Sequence, residues 1–238
     1  MSDLREPEAI LLDLDDTILV HGAVADNCWK NLCYRFAPRI EELEPDRLLN
    51  AINEARDWYW SDPERHRKGR LNLFVARREL VSLAFSNLGI DNTDVADQLA
   101  DTYSTEREEA IVPFPGAIDA LKHFRNHGIK LALVSNGSSE VQLKKVERFN
   151  LASYFNCIII EGEFGVGKPD KRVFLHALGK LRVSPEKAWM VGDNLEWDVA
   201  GAQKAGIFAI WVDWRGEGLP ELSTVEPDRI IRNISELL

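Results

Sequence analysis

The stretch Ala9-Ile10-Leu11-Leu12-Asp13-Leu14-Asp15-Asp16-Thr17 decides how the rest of the chain is read. An apolar run from Ala9 to Leu14 ends abruptly in carboxylates, the pattern of a buried strand whose far end enters a polar site. Comparable runs return only after Pro113: Ile129 to Val134, Asn156 to Ile160, Ala188 to Val191 and Ile207 to Val212, with a last short one around Ile230. Helical stretches separate them. The first is opened by Pro113-Phe114-Pro115-Gly116 and stops at Gly128, a residue suited to the end of a helix. This regular alternation predicts an α/β fold, a doubly wound parallel sheet with helices on both faces.

Between the first strand and Pro113 the texture is purely helical. Trp29, Leu32, Cys33 and Phe36 recur at i, i+3, i+4 and i+7, as do Val81, Ala84, Phe85 and Leu88, each set marking one apolar helix face. Pro45 near the start of a third periodic segment, and Asn92 or Thr93 as N-cap of a fourth, complete a bundle of four helices. The expected organisation is a sheet domain formed by residues 1–20 and 113–238, with a helical domain inserted over residues 21–112.

Composition narrows the class. The 238 residues are 45% apolar and 29% charged, with no apolar run near the ~20 residues a membrane-crossing helix requires. Lys and Arg number 29 against 39 Asp and Glu, a net charge of −10 that argues against a nucleic-acid polymer as partner. Cys28, Cys33 and Cys157 are widely spread and lack metal-site spacing, which suits a reducing cytoplasm. The acidic N-terminus has neither the basic start nor the apolar segment of a signal peptide and reads as mature sequence. A monomer or a weak homodimer satisfies all of this.

Ligands of open α/β sheets sit beyond the carboxyl ends of the strands. The polar residues there are Asp13, Asp15, Asp16 and Thr17 after the first strand, and Ser135, Asn136 and Gly137 after the second. Lys168 follows the glycine-rich stretch after the third, and Asp193 closes the fourth, with Asp198 nearby. Asp13 and Asp15, ~7 Å apart if the segment is extended, can flank one tetrahedral phosphoryl group. One carboxylate attacks phosphorus and the other handles the proton of the leaving oxygen. Their repulsion of a phosphate dianion calls for a divalent cation, and Mg²⁺ favours one or two carboxylates together with substrate oxygens. Asp193 supplies a third acidic group. Lys168, the Ser135 hydroxyl and main-chain N–H groups around Asn136 and Gly137 remain for the phosphoryl oxygens.

Four elements in this order, DLDDT at Asp13 to Thr17, SNG at Ser135 to Gly137, GKPD at Gly167 to Asp170 and GDNLEWD at Gly192 to Asp198, resemble the haloacid dehalogenase superfamily. The helical insert is similar to the C1 cap of its subfamily I. The resemblance implies a Rossmannoid core with strand order 5-4-1-2-3. It also implies an aspartyl-phosphate formed on Asp13, with Asp15 as acid and then base. Mg²⁺ would be held by the Asp13 carboxylate, the Asp15 main-chain oxygen and Asp193. Ser135, Asn136 and Lys168 would hold the phosphate, with Thr17 and Asp198 in auxiliary roles. Asp16 stands where many relatives have glycine.

The expected function is therefore a Mg²⁺-dependent phosphatase of small phosphomonoesters. A phosphomutase would use the same aspartates. A 2-haloacid dehalogenase would not need Asp15, because halide leaves without a proton. In the insert, Trp58, Tyr59 and Trp60 precede Arg65, His66, Arg67, Lys68 and Arg70. These could form a substrate-recognition surface, with Trp58, Trp60, Arg65 and Arg67 in contact. The favoured expectation is aromatic packing beside a solvated, charged loop, because adjacent helix residues cannot all face one pocket.

Overall fold

The computed structural model describes residues 6–41 and 43–238 and divides into two compact units, residues 1–20 with 112–238 and residues 21–111. The N-terminal residues read as a mature start lie largely outside the described residues.

The first unit is built on a parallel sheet. Its strands are β1 (Ala9–Leu12), β4 (Lys130–Ser135), β5 (Cys157–Ile160), β6 (Ala188–Gly192), β7 (Phe208–Val212) and β8 (Arg229–Ile231), in the order β5-β4-β1-β6-β7-β8. The five strands expected to carry or support the motifs lie in the expected order, and the short strand around Ile230 extends the sheet beyond β7. β2 (Leu19–Val20) and β3 (Val112–Pro113) pair antiparallel in a separate two-stranded sheet of this unit. Val112, expected in the helical insert, belongs to the sheet unit because it pairs with Val20.

β1 is central, hydrogen-bonded to β4 on one side and β6 on the other, and all four of its residues are buried. Fully burying each large side chain of this kind contributes about 1.5–3 kcal/mol. One face of the sheet packs Leu11, Val134 and Met190 against Val173, Phe174 and Leu178 of α9 (Lys171–Leu181). α6 (Ala117–Asn126) stops where sequence places its end: Gly128 takes a φ of 77° that a Cβ would disfavour. α7 (Ser139–Arg148), the one-turn α8 (Glu161–Phe164), a π-helical turn at Leu195–Ala200 and α10 (Gly201–Lys204) complete the unit.

The second unit comprises α1 (Gly22–Phe36), α2 (Pro45–Ser61), α3 (Pro63–Leu71), α4 (Leu73–Asn87) and α5 (Thr93–Ala110). α1 packs on α2 and α5, and α4 packs on the same two helices, so these are the four helices of the expected bundle. Their core contains the predicted faces, including Trp29, Leu32, Phe36, Val81, Ala84 and Phe85, and Asn92 caps α5 by accepting from Val95 N–H. α3 is the addition. The segment expected to be a charged loop is helical because Asp62 caps it and Pro63 opens it. Its sequence PERHRKGRL has too few apolar residues to show a helical period. Burial pushes the Cys28 and Cys33 thiols up to about 11 and about 12, keeping both as neutral packing groups. Among the described residues no helix is long and apolar enough to cross a membrane.

Candidate active site

Asp13, Ser135 and Asp193 are delivered by the ends of parallel strands, Lys168 by the loop before α9 and Asp198 by the π-helical turn after β6. Asp13 continues the β1 ladder one residue beyond the strand, its N–H donating to Val191 O at 3.0 Å. Asp16 then turns the chain with a φ of 56°, a left-handed conformation that glycine adopts freely and aspartate tolerates. Ser135 ends β4, Glu161 follows β5, and Asp193 follows β6.

Two groups of charge form here. In the first, Lys168 Nζ lies 2.7 Å from Asp13 Oδ1 and 2.6 Å from Asp198 Oδ1, all three side chains being buried. Ligand atoms of Asp13, Asp193 and Asp198 lie within 4.8 Å of one another. Burial pushes the Asp13 carboxyl up to about 7 against the pull of Lys168, and the neighbouring Asp198 and Asp15 charges add to the rise. Asp193 is also raised, by burial first and then by Asp13 and Asp198. Burial pulls Lys168 down, but attraction to Asp13 and Asp198 outweighs it and the ammonium is held charged. Three carboxylates around one lysine leave the cluster short of positive charge, and buried Asp198 Oδ1 has no aligned hydrogen-bond donor. Hard oxygen ligands with excess negative charge fit Mg²⁺. Asp13, Asp193 and Asp198 are therefore the side chains able to hold it.

In the second group, Asp15 is turned to α7. Lys145 Nζ donates to its two carboxylate oxygens at 2.8 and 2.9 Å, and Gln142 Nε2 donates to Oδ2 at 3.0 Å. Gln142 Nε2 also reaches Ser135 Oγ at 2.7 Å and Asn136 O at 3.0 Å. Asp13 and Asp15, two residues apart, thus sit in different electrostatic settings. Lys145 and Gln142 were absent from the expected site residues. The signal for them is a lysine and a glutamine three residues apart on the helix that follows SNG, on its buried face.

Asn136 joins the two groups through main chain. Its Nδ2 donates to Lys168 O at 2.9 Å and its Oδ1 accepts from Lys168 N–H at 2.7 Å, so its side chain fixes the lysine's backbone. Gly167 permits this approach, since a Cβ there would come within 2.5 Å of Asn136 Oδ1. The Gly137 N–H, expected to face phosphate, donates to buried Glu161 Oε2 at 3.0 Å. Gly192 serves similarly at Asp198, whose carboxylate occupies the space a Cβ would need. The π-helical turn brings Asp198 back toward β6, where its Oδ2 accepts from Asn194 N–H at 3.0 Å. Trp211 Nε1 donates to Asp193 O at 2.6 Å, anchoring the loop that carries Asp193. Thr17 is buried, and its Oγ1 has no hydrogen-bond partner among the described residues.

The aromatic segment divides. Tyr59 is buried in the helical core and donates to Glu79, and Trp60 packs against that core. Trp58, expected to pack inside, is 52% exposed and covered on one face by the Arg65 guanidinium at 3.8 Å. Neighbouring positions on a helix point about 100° apart, so burial of Tyr59 turns Trp58 outward.

A sequence profile of the haloacid dehalogenase-like hydrolases matches residues 7–206. The chain belongs to that family. Among curated members, it is 41% identical over 143 residues to a phosphoserine phosphatase of Thermus thermophilus, a match spanning 60% of this chain and 56% of the relative's length. It is 28% identical over 205 residues to a glyceraldehyde 3-phosphate phosphatase of Methanopyrus kandleri, covering 85% of this chain and 82% of the other. The solved HAD-hydrolase YfnB of Bacillus subtilis superposes with a TM-score of 0.75 over 98% of this chain and 97% of that one, and at 24% identity it attests the fold. These relatives include several named as phosphatases, with different substrates.

Proposed function

We propose that the protein is a Mg²⁺-dependent phosphatase that hydrolyses a small phosphomonoester through an aspartyl-phosphate on Asp13. One observation carries the reading: Asp13 is held among buried carboxylates on Lys168, while Asp15 is held apart by Lys145 and Gln142. Two carboxylates placed in unlike environments can serve two roles.

In the first step an Asp13 carboxylate oxygen bonds to phosphorus and the ester P–O bond breaks. The leaving alkoxide takes a proton from Asp15. In the second, Asp15 accepts a proton from water as its oxygen bonds to phosphorus, and the Asp13–phosphorus bond breaks to release inorganic phosphate. Lys168 and Ser135 Oγ bind phosphoryl oxygens, and Asn136 serves the phosphate by fixing Lys168. Mg²⁺ bound by Asp13 and Asp193, with the Asp15 main-chain oxygen and Asp198 supporting, would neutralise charge on the phosphoryl group. Thr17 supports the loop that carries the aspartates. Asp15 favours an ester over a halide as leaving group.

The test is a panel of phosphomonoesters assayed for phosphate release with Mg²⁺. Turnover of at least one ester, abolished by Asp13→Asn and by chelation, is expected. Halide release from a 2-haloacid without phosphate release from any ester would overturn the reading, and phosphoryl return to a second hydroxyl would make the enzyme a phosphomutase.

A further inference from the structure

Ser135 ends β4 and Gln142 lies in the first turn of α7, the helix that follows, and each is only 3% exposed. Side chains of a helix lean toward its N-terminus, so the Gln142 carboxamide reaches back to the strand end. Its Nε2 lies 2.7 Å from Ser135 Oγ, 3.0 Å from Asn136 O and 3.0 Å from Asp15 Oδ2. A carbonyl oxygen and an ionised carboxylate only accept hydrogen bonds, so the amide has to turn its N–H donors to them. Oε1 is left buried with no partner among the described residues, a costly arrangement for a polar atom. A side chain kept at such a cost beside the motif residues points to a role there.

Two N–H donors thus face three acceptors. Asp15 needs the amide least, because Lys145 Nζ already meets both of its carboxylate oxygens at 2.8 and 2.9 Å. That leaves Ser135 Oγ and Asn136 O, and the two together decide where the Ser135 proton goes. A hydroxyl has one proton to donate and two lone pairs that accept. Among the described residues the hydrogen bond it donates runs to Asn136 O, at a long 3.4 Å. Gln142 supplies that carbonyl with a shorter donor and fills a lone pair of Oγ at the same time. The hydroxyl proton is then free for another acceptor.

We propose that Gln142 is a positioning residue that turns the Ser135 hydroxyl proton away from the main chain and toward a phosphoryl oxygen. The assignment rests on the phosphatase reading, in which Ser135 Oγ binds the phosphoryl group. In this role Gln142 acts through Ser135 rather than on the substrate. A hydroxyl that accepts from an amide is polarised and donates more strongly, so the pair holds an oxyanion better than serine alone.

The test is a double-mutant cycle on the full chain: wild type, Gln142→Met, Ser135→Ala and the two combined, titrated calorimetrically with inorganic phosphate in the presence of Mg²⁺. Gln142→Met is expected to weaken phosphate binding about tenfold in the wild-type background and hardly at all beside Ser135→Ala, because its effect passes through the hydroxyl. An equal loss in both backgrounds, or no loss in the first, overturns the role. Gln142→Glu keeps the shape of the side chain but replaces its donors with acceptors, drawing the hydroxyl proton to itself. It is expected to weaken binding more than Gln142→Met does, and tighter binding overturns the role. A spectroscopic readout leaves Gln142 in place. In ¹⁵N-labelled protein, inorganic phosphate should move the Gln142 side-chain amide proton downfield in the wild type and much less in Ser135→Ala. Equal shifts overturn the role, even where a Gln142 variant does not fold. Ester hydrolysis by a wild type whose cycle is additive defeats the role of Gln142 and leaves the phosphatase reading standing. The expected cycle in a protein that hydrolyses no ester does the reverse. A wild type that neither binds inorganic phosphate nor releases it from any ester defeats both.

Discussion

The sheet domain and the helical domain each bury a cluster of charge, and the two are electrostatic opposites. At the strand ends, Asp13, Asp193 and Asp198 surround Lys168. In the helical domain, Arg77 and Arg107 share Glu108. A buried charge without a counter-charge is costly; the acidic cluster, with three carboxylates to one lysine, calls for a cation, whereas Glu108 meets both arginines.

The largest expected effect lies in the acidic cluster. Asp13→Asn removes the attacking oxygen but keeps the side-chain volume, and phosphate release should fall about 10⁴-fold or more with an unchanged circular dichroism spectrum. Near-normal turnover would remove the basis for distinguishing Asp13 from Asp15. Lys168→Met leaves Asp13 and Asp198 facing each other without their shared cation, and denaturant titration should show a loss of about 3 kcal/mol. Mg²⁺ should return part of that loss, because it supplies the missing positive charge. Lys145→Met probes the setting of Asp15. The kcat/KM for an alkyl phosphate should drop about 10²-fold, while an aryl phosphate, whose leaving group needs little protonation, should drop much less. Lys145→Arg should recover much of the difference. Equal loss on both esters would assign Lys145 to packing.

The smallest effect is a pH dependence of stability. The folded Asp13 carboxyl is raised to about 7 from its ordinary 3.8, so the folded state holds its proton more tightly than the unfolded chain. The metal-free protein should therefore lose stability as pH rises from about 4 through 7, the direction set by linkage. Asp170, lowered to about 2 by Arg172, changes charge below this window and does not mask it. Melting temperatures with a chelator, from pH 5 to 8, should fall. A rise across that range would contradict the environment assigned to Asp13.

The acidic cluster was legible in the sequence and the basic one was not, for a physical reason. Asp13, Ser135, Lys168 and Asp193 each follow an apolar strand or its adjoining loop, and parallel strands bring their carboxyl ends to one edge whatever their sequence separation. Arg77 and Arg107 lie on separate helices thirty positions apart, and an arginine on an amphipathic helix looks the same in sequence whether it meets water or a neighbouring helix. Lys145 and Gln142 were hidden in the same way, by a helix face that carries polar side chains inward. α3 was missed because Asp62 and Pro63 specify its start while its charged interior offers no apolar period. Asp198 was visible as a carboxylate. Its membership of the acidic cluster depends on Gly192 and the π-helical turn, a local geometry that spacing alone does not reveal.

The claim on which the account rests is that Asp13, rather than water or Asp15, first bonds to phosphorus. Acid quenching during turnover of an active ester, followed by borohydride reduction and peptide mass spectrometry, tests it directly. The account predicts conversion of Asp13 alone to homoserine, the product of a reduced aspartyl-phosphate. Turnover with Asp13 unmodified in every quenched sample, or reduction mapped to Asp15, would contradict it.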